Sequence, residues 1–196
     1  MSRSSTLPID PLFLRRWSPR AMSGAPLTRD QLLPLLEAAR WAPSSGNGQP
    51  WRFPYALAGT PHFDRFLATL VPGNRVWCVR AGALVLVAAK VVRDDGQPSP
   101  TAPFDAGAAW MALALQGTIS GLVVHAMAGF DHEAARTAVE LPAGLEPQAM
   151  VAIGLPGRVE ELPEKLRERE QPNDRMPLAA LVVEGRFPVA PPPIPE

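Results

Sequence analysis

Arg16-Trp17-Ser18-Pro19-Arg20 and Ala42-Pro43-Ser44-Ser45-Gly46-Asn47-Gly48-Gln49-Pro50-Trp51 are the two stretches that decide how this chain is read. The first offers guanidinium groups and a hydroxyl. These are the donors a bound phosphate needs, because arginine meets oxyanions through charge-assisted and often bidentate hydrogen bonds. Arg16 and Arg20 stand four residues apart with Ser18 between them, and no acidic residue occurs between Pro11 and Asp30. Taken alone, those five residues also describe a solvated basic turn. In the second stretch Gly46 and Gly48 let the backbone approach a ligand closely. Ser44, Ser45, Asn47 and Gln49 add uncharged donors and acceptors, suited to the edge of a planar heterocycle and to sugar-like hydroxyls. The plain alternative is an ordinary helix-to-strand loop with Trp51 in the core.

The surrounding pattern alternates helices and strands. Asp10-Pro11 starts a short helix, with Asp as cap and Pro at its first position. Thr28 and Gln31 have capping-box spacing, and Leu32, Leu35, Leu36 and Ala39 follow on one face. Pro34 should kink that helix or weaken its start. Residues 51–58 read as a strand that Pro54 confines to an edge or a bulge. Thr60-Pro61 opens a helix through Leu70, residues 84–92 form a buried strand, and residues 94–98 form a turn. Residues 104–122 are the longest helical candidate, rich in Gly and Ala and apolar on every face. It is either a central core helix buried all round or a helix at a subunit interface. Two further strands are expected at 122–128 and 149–154, a helix from Asp131 to about Glu140, and a charged surface helix at 162–170.

Composition narrows the function classes. With 196 residues, 46% of them hydrophobic, one domain with a full core is expected, spanning 1–187. Residues 188–196 form a Pro-rich tail of polyproline type, a disordered end or an arm on a partner. A net charge of zero argues against nucleic acid and membrane surfaces. The single cysteine, Cys78, excludes an internal disulfide framework, and His62, His125 and His132 are too scattered for a metal site. No signal-like or membrane-spanning run stands out, so a cytoplasmic location is expected. A Gly-x-Gly-x-x-Gly after a strand, a phosphate-binding P-loop and a Ser-His-Asp set are all missing.

In these motifs the chain resembles the FMN-dependent nitroreductase family, and in particular its smaller members with Arg-Trp-Ser-Pro-Arg and Ala-Pro-Ser-Ser-x-Asn-x-Gln-Pro-Trp. Segments 105–122, 127–131, 151–157 and 175–178 continue the likeness in order, so it covers all but the first few residues and the tail. The resemblance implies an α+β three-layer sandwich. Its central sheet is mixed and mostly antiparallel, flanked by helices, within an intertwined homodimer whose two sites are composite. It implies FMN, with NADH or NADPH as electron donor, and ping-pong hydride transfer through flavin N5 to a nitroaromatic, quinone or flavin acceptor.

Residue by residue, the resemblance assigns Arg16, Ser18 and Arg175 to the phosphate and ribityl end, and Trp17 to the cofactor-binding set beside them. Arg20 falls beside flavin N1 and the C2 carbonyl, where a cation stabilises the reduced ring. Pro43, Ser44, Ser45 and Asn47 would reach across the dimer, and Gln49 of the same loop would also bind the cofactor. Asn74 would contact the ring, unless it only caps a helix. Across Met127, Ala128 and Gly129 a backbone amide would face N5. No side chain is expected to act as a catalytic acid or base, since the cofactor carries the chemistry. Ala128 stands where an acidic residue is frequent in relatives, and Asn173 where some carry Lys. Those departures keep a non-catalytic flavin-binding dimer open as an alternative; a second is another flavin chemistry on the same fold, such as dehydrogenation or flavin fragmentation.

Overall fold

The computed structural model describes residues 3–186. The Pro-rich tail, 188–196, lies outside the described residues. Seven helices are described: α1 (Pro11–Arg15), α2 (Arg29–Arg40), α3 (Pro61–Ala68), α4 (Pro72–Cys78), α5 (Ala102–Ile119), α6 (His132–Ala138) and α7 (Glu164–Arg167). The strands are β1 (Trp51–Arg52), β2 (Tyr55–Leu57), β3 (Ala83–Lys90), β4 (Val123–Met127) and β5 (Leu145–Gly154). Local chemistry fixes many of the boundaries. Asp10, Thr60 and Asp131 each accept a backbone N–H in the first turn that follows, and Thr28 and Gln31 form a complete capping box.

The sheet runs β1-β3-β5-β4, with β2 also on β3. Among the described residues every pairing is antiparallel. Strands β1 and β2 are one edge strand interrupted at Phe53-Pro54. Trp51 pairs with Ala89 and Tyr55 with Val85 in a common register, and the Pro54 carbonyl accepts from Leu86 N at 2.8 Å. Pro54 lacks the N–H that an inner strand must donate, so an edge is where it can stand.

Alternation along β3 builds the two flanking layers. Leu84 and Leu86 pack with Phe63, Phe66 and Trp77 of α3 and α4, while Val85 and Val87 pack with Leu32, Leu35 and Leu113 of α2 and α5. Helices therefore cover both faces of an antiparallel sheet, as expected of an α+β sandwich.

Four local expectations need correction. Helix α2 runs unbroken through Pro34, whose ring faces solvent; the capping box sets its start upstream of the proline. Helix α5 is not buried all round. Ala106, Ala109, Leu113 and Gly117 face the core, whereas Phe104 is 81% and Ile119 60% exposed. The charged helix expected at 162–170 shrinks to Glu164–Arg167, because Leu162 is drawn into the core and Pro163 starts the turn. Asn74 lies inside α4, whose cap position is Val71, so it caps nothing.

Candidate functional site

The turn that carries Ser18, Pro19 and Arg20 is held from two sides. Glu170, with a side chain 1% exposed, accepts from the backbone N–H groups of Arg20 (2.6 Å) and Ala21 (2.8 Å). Its other oxygen lies 3.8 Å from the Arg20 guanidinium and makes no hydrogen bond among the described residues. On the opposite side the His125 Nδ1 lies 2.9 Å from the Pro19 carbonyl. A carbonyl can only accept, so this nitrogen carries the proton. Burial, reinforced by the cations of Arg20 and Arg16, drops the His125 pKa to about 4 and leaves the ring neutral near pH 7. Trp77 packs on the same ring at 4.8 Å between centroids.

This pinned turn forms one wall of a cavity of about 550 Å³, within the size range of small-molecule sites. Arg16, Trp17, Ser18 and Arg20 line it from the N-terminal segment, His125 from β4, and Asn173 and Arg175 from the C-terminal segment. Arg16 Nη1 donates to Ser18 Oγ at 3.3 Å. Burial lowers the proton affinity of Arg16, and the nearby cations of Arg175 and Arg3 lower it further. An arginine stays charged under such shifts, so the cavity gathers like charges. Two segments remote in sequence thus converge on a positively charged, partly desolvated space.

A second group adjoins it along β4. Beyond His125 the strand reaches Met127, which is buried, and Ala128, which is exposed. The Gly129 carbonyl accepts from Asn74 Nδ2 at 3.0 Å and from Val71 N at 3.1 Å. A Cβ on Gly129 would lie 2.5 Å from Asn74 Nδ2, so this close approach needs glycine. The amide side chain of Asn74 therefore clamps the 127–129 segment.

The loop holding Pro43, Ser44, Ser45, Asn47 and Gln49 does not join these groups within one chain. It leads from α2 to β1, and its Trp51 packs in the α2–α5 layer. Ser45 N donates to the buried Asp105 of α5 at 3.3 Å, and Gln49 N to Ser44 Oγ at 3.0 Å. Ser45, Asn47 and Gln49 are exposed, and Asn47 and Gln49 hold positive φ values of 54° and 46°. That backbone is one non-glycine residues seldom adopt.

Sequence reasoning missed Arg3, His125 and Glu170. His125 had a signal, as a lone polar residue in the apolar run of β4. Glu170 had none, for it stands in a charged stretch and only the tertiary fold turns it inward. Cys78 is buried, and burial pushes its thiol pKa well up, consistent with packing rather than reactivity. Among the described residues no group of His, Cys, Asp and Glu could hold a metal, and no helix is long and apolar enough to cross a membrane.

An α+β sandwich with an arginine-lined cavity offers the donors that a phosphorylated ligand would need. The comparisons make it specific: the chain belongs to the nitroreductase family. The profile of the Nitroreductase family matches residues 14–70, the segment that carries the Arg-Trp-Ser-Pro-Arg turn and the Pro-Ser-Ser loop. A solved structure described as an oxidoreductase containing FMN is 43% identical, superposes with a TM-score of 0.91, and is matched over 95% of this chain and 96% of its own. A protein from Desulfovibrio desulfuricans, solved as "a putative nitroreductase in complex with FMN", is 26% identical with a TM-score of 0.70, over 92% of this chain and all of its own. A Rhodopseudomonas palustris protein named "Putative NADH dehydrogenase/NAD(P)H nitroreductase" is 29% identical over 67% of this chain and 78% of its own.

Proposed function

We propose that this chain is an FMN-dependent NAD(P)H oxidoreductase that works as a homodimer. The observation that carries the reading is the convergence of Arg16, Ser18, Arg20 and Arg175 on one 550 Å³ cavity beside the Asn74-clamped end of β4. The donor set fits FMN: guanidinium groups and a hydroxyl for a phosphate, and an exposed backbone turn next to it for a ring. FMN, when bound, supplies hydride transfer between a nicotinamide donor and an electron acceptor. The chain's own residues bind and orient. Arg16 and Arg175 would hold the phosphate, with Ser18 adding a hydroxyl. Arg20, fixed by Glu170 through its own backbone, would present a cation to the negative charge that grows on a reduced ring. Neutral His125 supports the turn without adding a charge.

The exposed loop residues Pro43, Ser45, Asn47 and Gln49, together with half-buried Ser44, reach no cavity arginine of their own chain. Their assignment is to the site of a second copy. The exposed apolar side of α5, from Phe104 to Ile119, supports a partner surface, and two-fold dimers are the commonest oligomers. One globular unit with a C-terminal tail remains the proposed organisation.

The test is to titrate apo-protein with FMN and FAD, then add NADH or NADPH. FMN should bind in preference to FAD, and the nicotinamide should be oxidised. FMN binding without reduction would favour the non-catalytic flavin-binding alternative, which Ala128 motivates. No binding of FMN at all would remove the reading.

A further inference from the structure

Arg3 reaches further into this cavity than its place near the chain start suggests. Its Nε donates to the Asn173 carbonyl at 2.7 Å. Its Nη1 donates to the Arg16 carbonyl at 2.8 Å and, more weakly, to that of Leu14 at 3.4 Å. One planar guanidinium thus ties the segment after α1 to the segment that delivers Arg175. The remaining nitrogen, Nη2, makes no hydrogen bond among the described residues, and Arg3 lines the same cavity as Arg16 and Arg175.

We propose that Arg3 is the third cation of the phosphate end of this site, and that it clasps the two halves of that site together. The inference rests on the FMN reading above. Five arginines and only two carboxylates, Glu168 and Asp174, line the cavity. One Asp174 oxygen is already committed to Arg175 N at 2.8 Å. Burial disfavours the charged form of Arg3 and Arg175 adds to that, with Asp174 partly offsetting it; burial, then Arg175 and Arg3, disfavour that of Arg16. Repulsion among like charges is relieved when a dianion sits between them. A phosphomonoester is such a dianion, and its three terminal oxygens offer enough acceptors for several guanidinium donors.

The chemistry predicts which ligand should feel the loss of Arg3. FMN and riboflavin share the ring and ribityl chain and differ only in the phosphate. In the Arg3→Ala variant FMN affinity should fall about tenfold or more, the usual scale for losing a charge-assisted contact. Riboflavin affinity should change little, so the preference for FMN over riboflavin should shrink by the same factor. Arg3→Gln, of similar reach but neutral, should show the same loss, and circular dichroism checks that both variants fold. The preference of the wild type for FMN should also weaken with added salt more steeply than that of either variant. An unchanged preference in the folded variants overturns the inference and leaves the FMN reading standing. An equal loss of FMN and riboflavin overturns it too, because Arg3 would then be only a structural tie. Wild-type protein that binds neither flavin removes the FMN reading and this inference with it.

Discussion

At Pro19-Arg20-Ala21 two ionisable side chains, one buried and one half-buried, do opposite electrostatic work. Glu170 supplies a carboxylate to two backbone N–H groups, and His125 supplies a neutral N–H to a carbonyl. Hydrogen bonds to a charged partner contribute about 1.5–3 kcal/mol, and a buried donor left without an acceptor costs a similar amount. Glu170→Ala should therefore destabilise the protein by about 2–4 kcal/mol. Glu170→Gln, which keeps an acceptor, should lose less. Urea unfolding of the two variants checks the order, and an equal, negligible loss in both would show that Glu170 does not pin the turn.

His125 makes the same turn sensitive to acid. Its folded pKa lies near 4, below the ordinary 6.5, so the unfolded chain binds the proton first. Stability then rises with pH between those values, and it is lost as pH falls from about 6.5 toward 4, with a slope approaching 1.4 kcal/mol per pH unit. Arg16 and Arg20 face the ring and oppose its protonation, while the Pro19 and Ser18 backbone favours it. His125→Asn should flatten that part of the profile relative to wild type, as read by denaturant unfolding at several pH values. Arg20→Ala should lower the midpoint potential of bound FMN, because the cation proposed to stand beside the reduced ring would be gone. A potentiometric titration with no decrease, in a variant that keeps FMN, would contradict the assigned place of Arg20.

At the scale of elements, helix α5 shows what pattern alone can and cannot supply. Its run of Gly and Ala allowed two readings, core or interface, and the structure packs one glycine of the helix against the core and leaves the other open. A Cβ on Gly117 would overlap Val124 Cγ2 of β4, whereas a Cβ on Gly107 meets nothing within 4 Å. Gly117→Ala should thus cost about 1–3 kcal/mol by overpacking, despite its better helix propensity. Gly107→Ala should stabilise an isolated chain by about 0.5–1 kcal/mol. Thermal unfolding of both variants separates the two sites, and equal effects would contradict the division.

Helix caps and the edge position of Pro54 were legible because they depend on residues within a few positions of each other. The arginine turn was legible as a motif. The positions of Glu170 and Arg3 were not, since their partners lie some 150 and 170 residues away. Nothing in a charged stretch says which glutamate the fold will bury. The shortened α7 has the same origin: Leu162 reads as a helix member but is claimed by the core.

For the whole molecule, the α2–β1 loop and the arginine cavity stay apart within one chain, and the dimer is the arrangement that would unite them. Gly107→Trp, on the open side of α5, should lose dimer and FMN together if that face forms the interface. A ligand stabilises the state that binds it, so FMN should in turn favour the wild-type dimer. Sedimentation with flavin absorbance reads both, and a monomer with full FMN occupancy would exclude the composite site. The most direct test of the account is anaerobic titration of FMN-loaded protein with NADH and NADPH while the oxidised-flavin absorbance is followed. The account predicts bleaching by at least one donor and recovery of the colour when a quinone or nitroaromatic acceptor is added. Protein that takes up no FMN, or whose bound FMN stays oxidised with both donors, would contradict it.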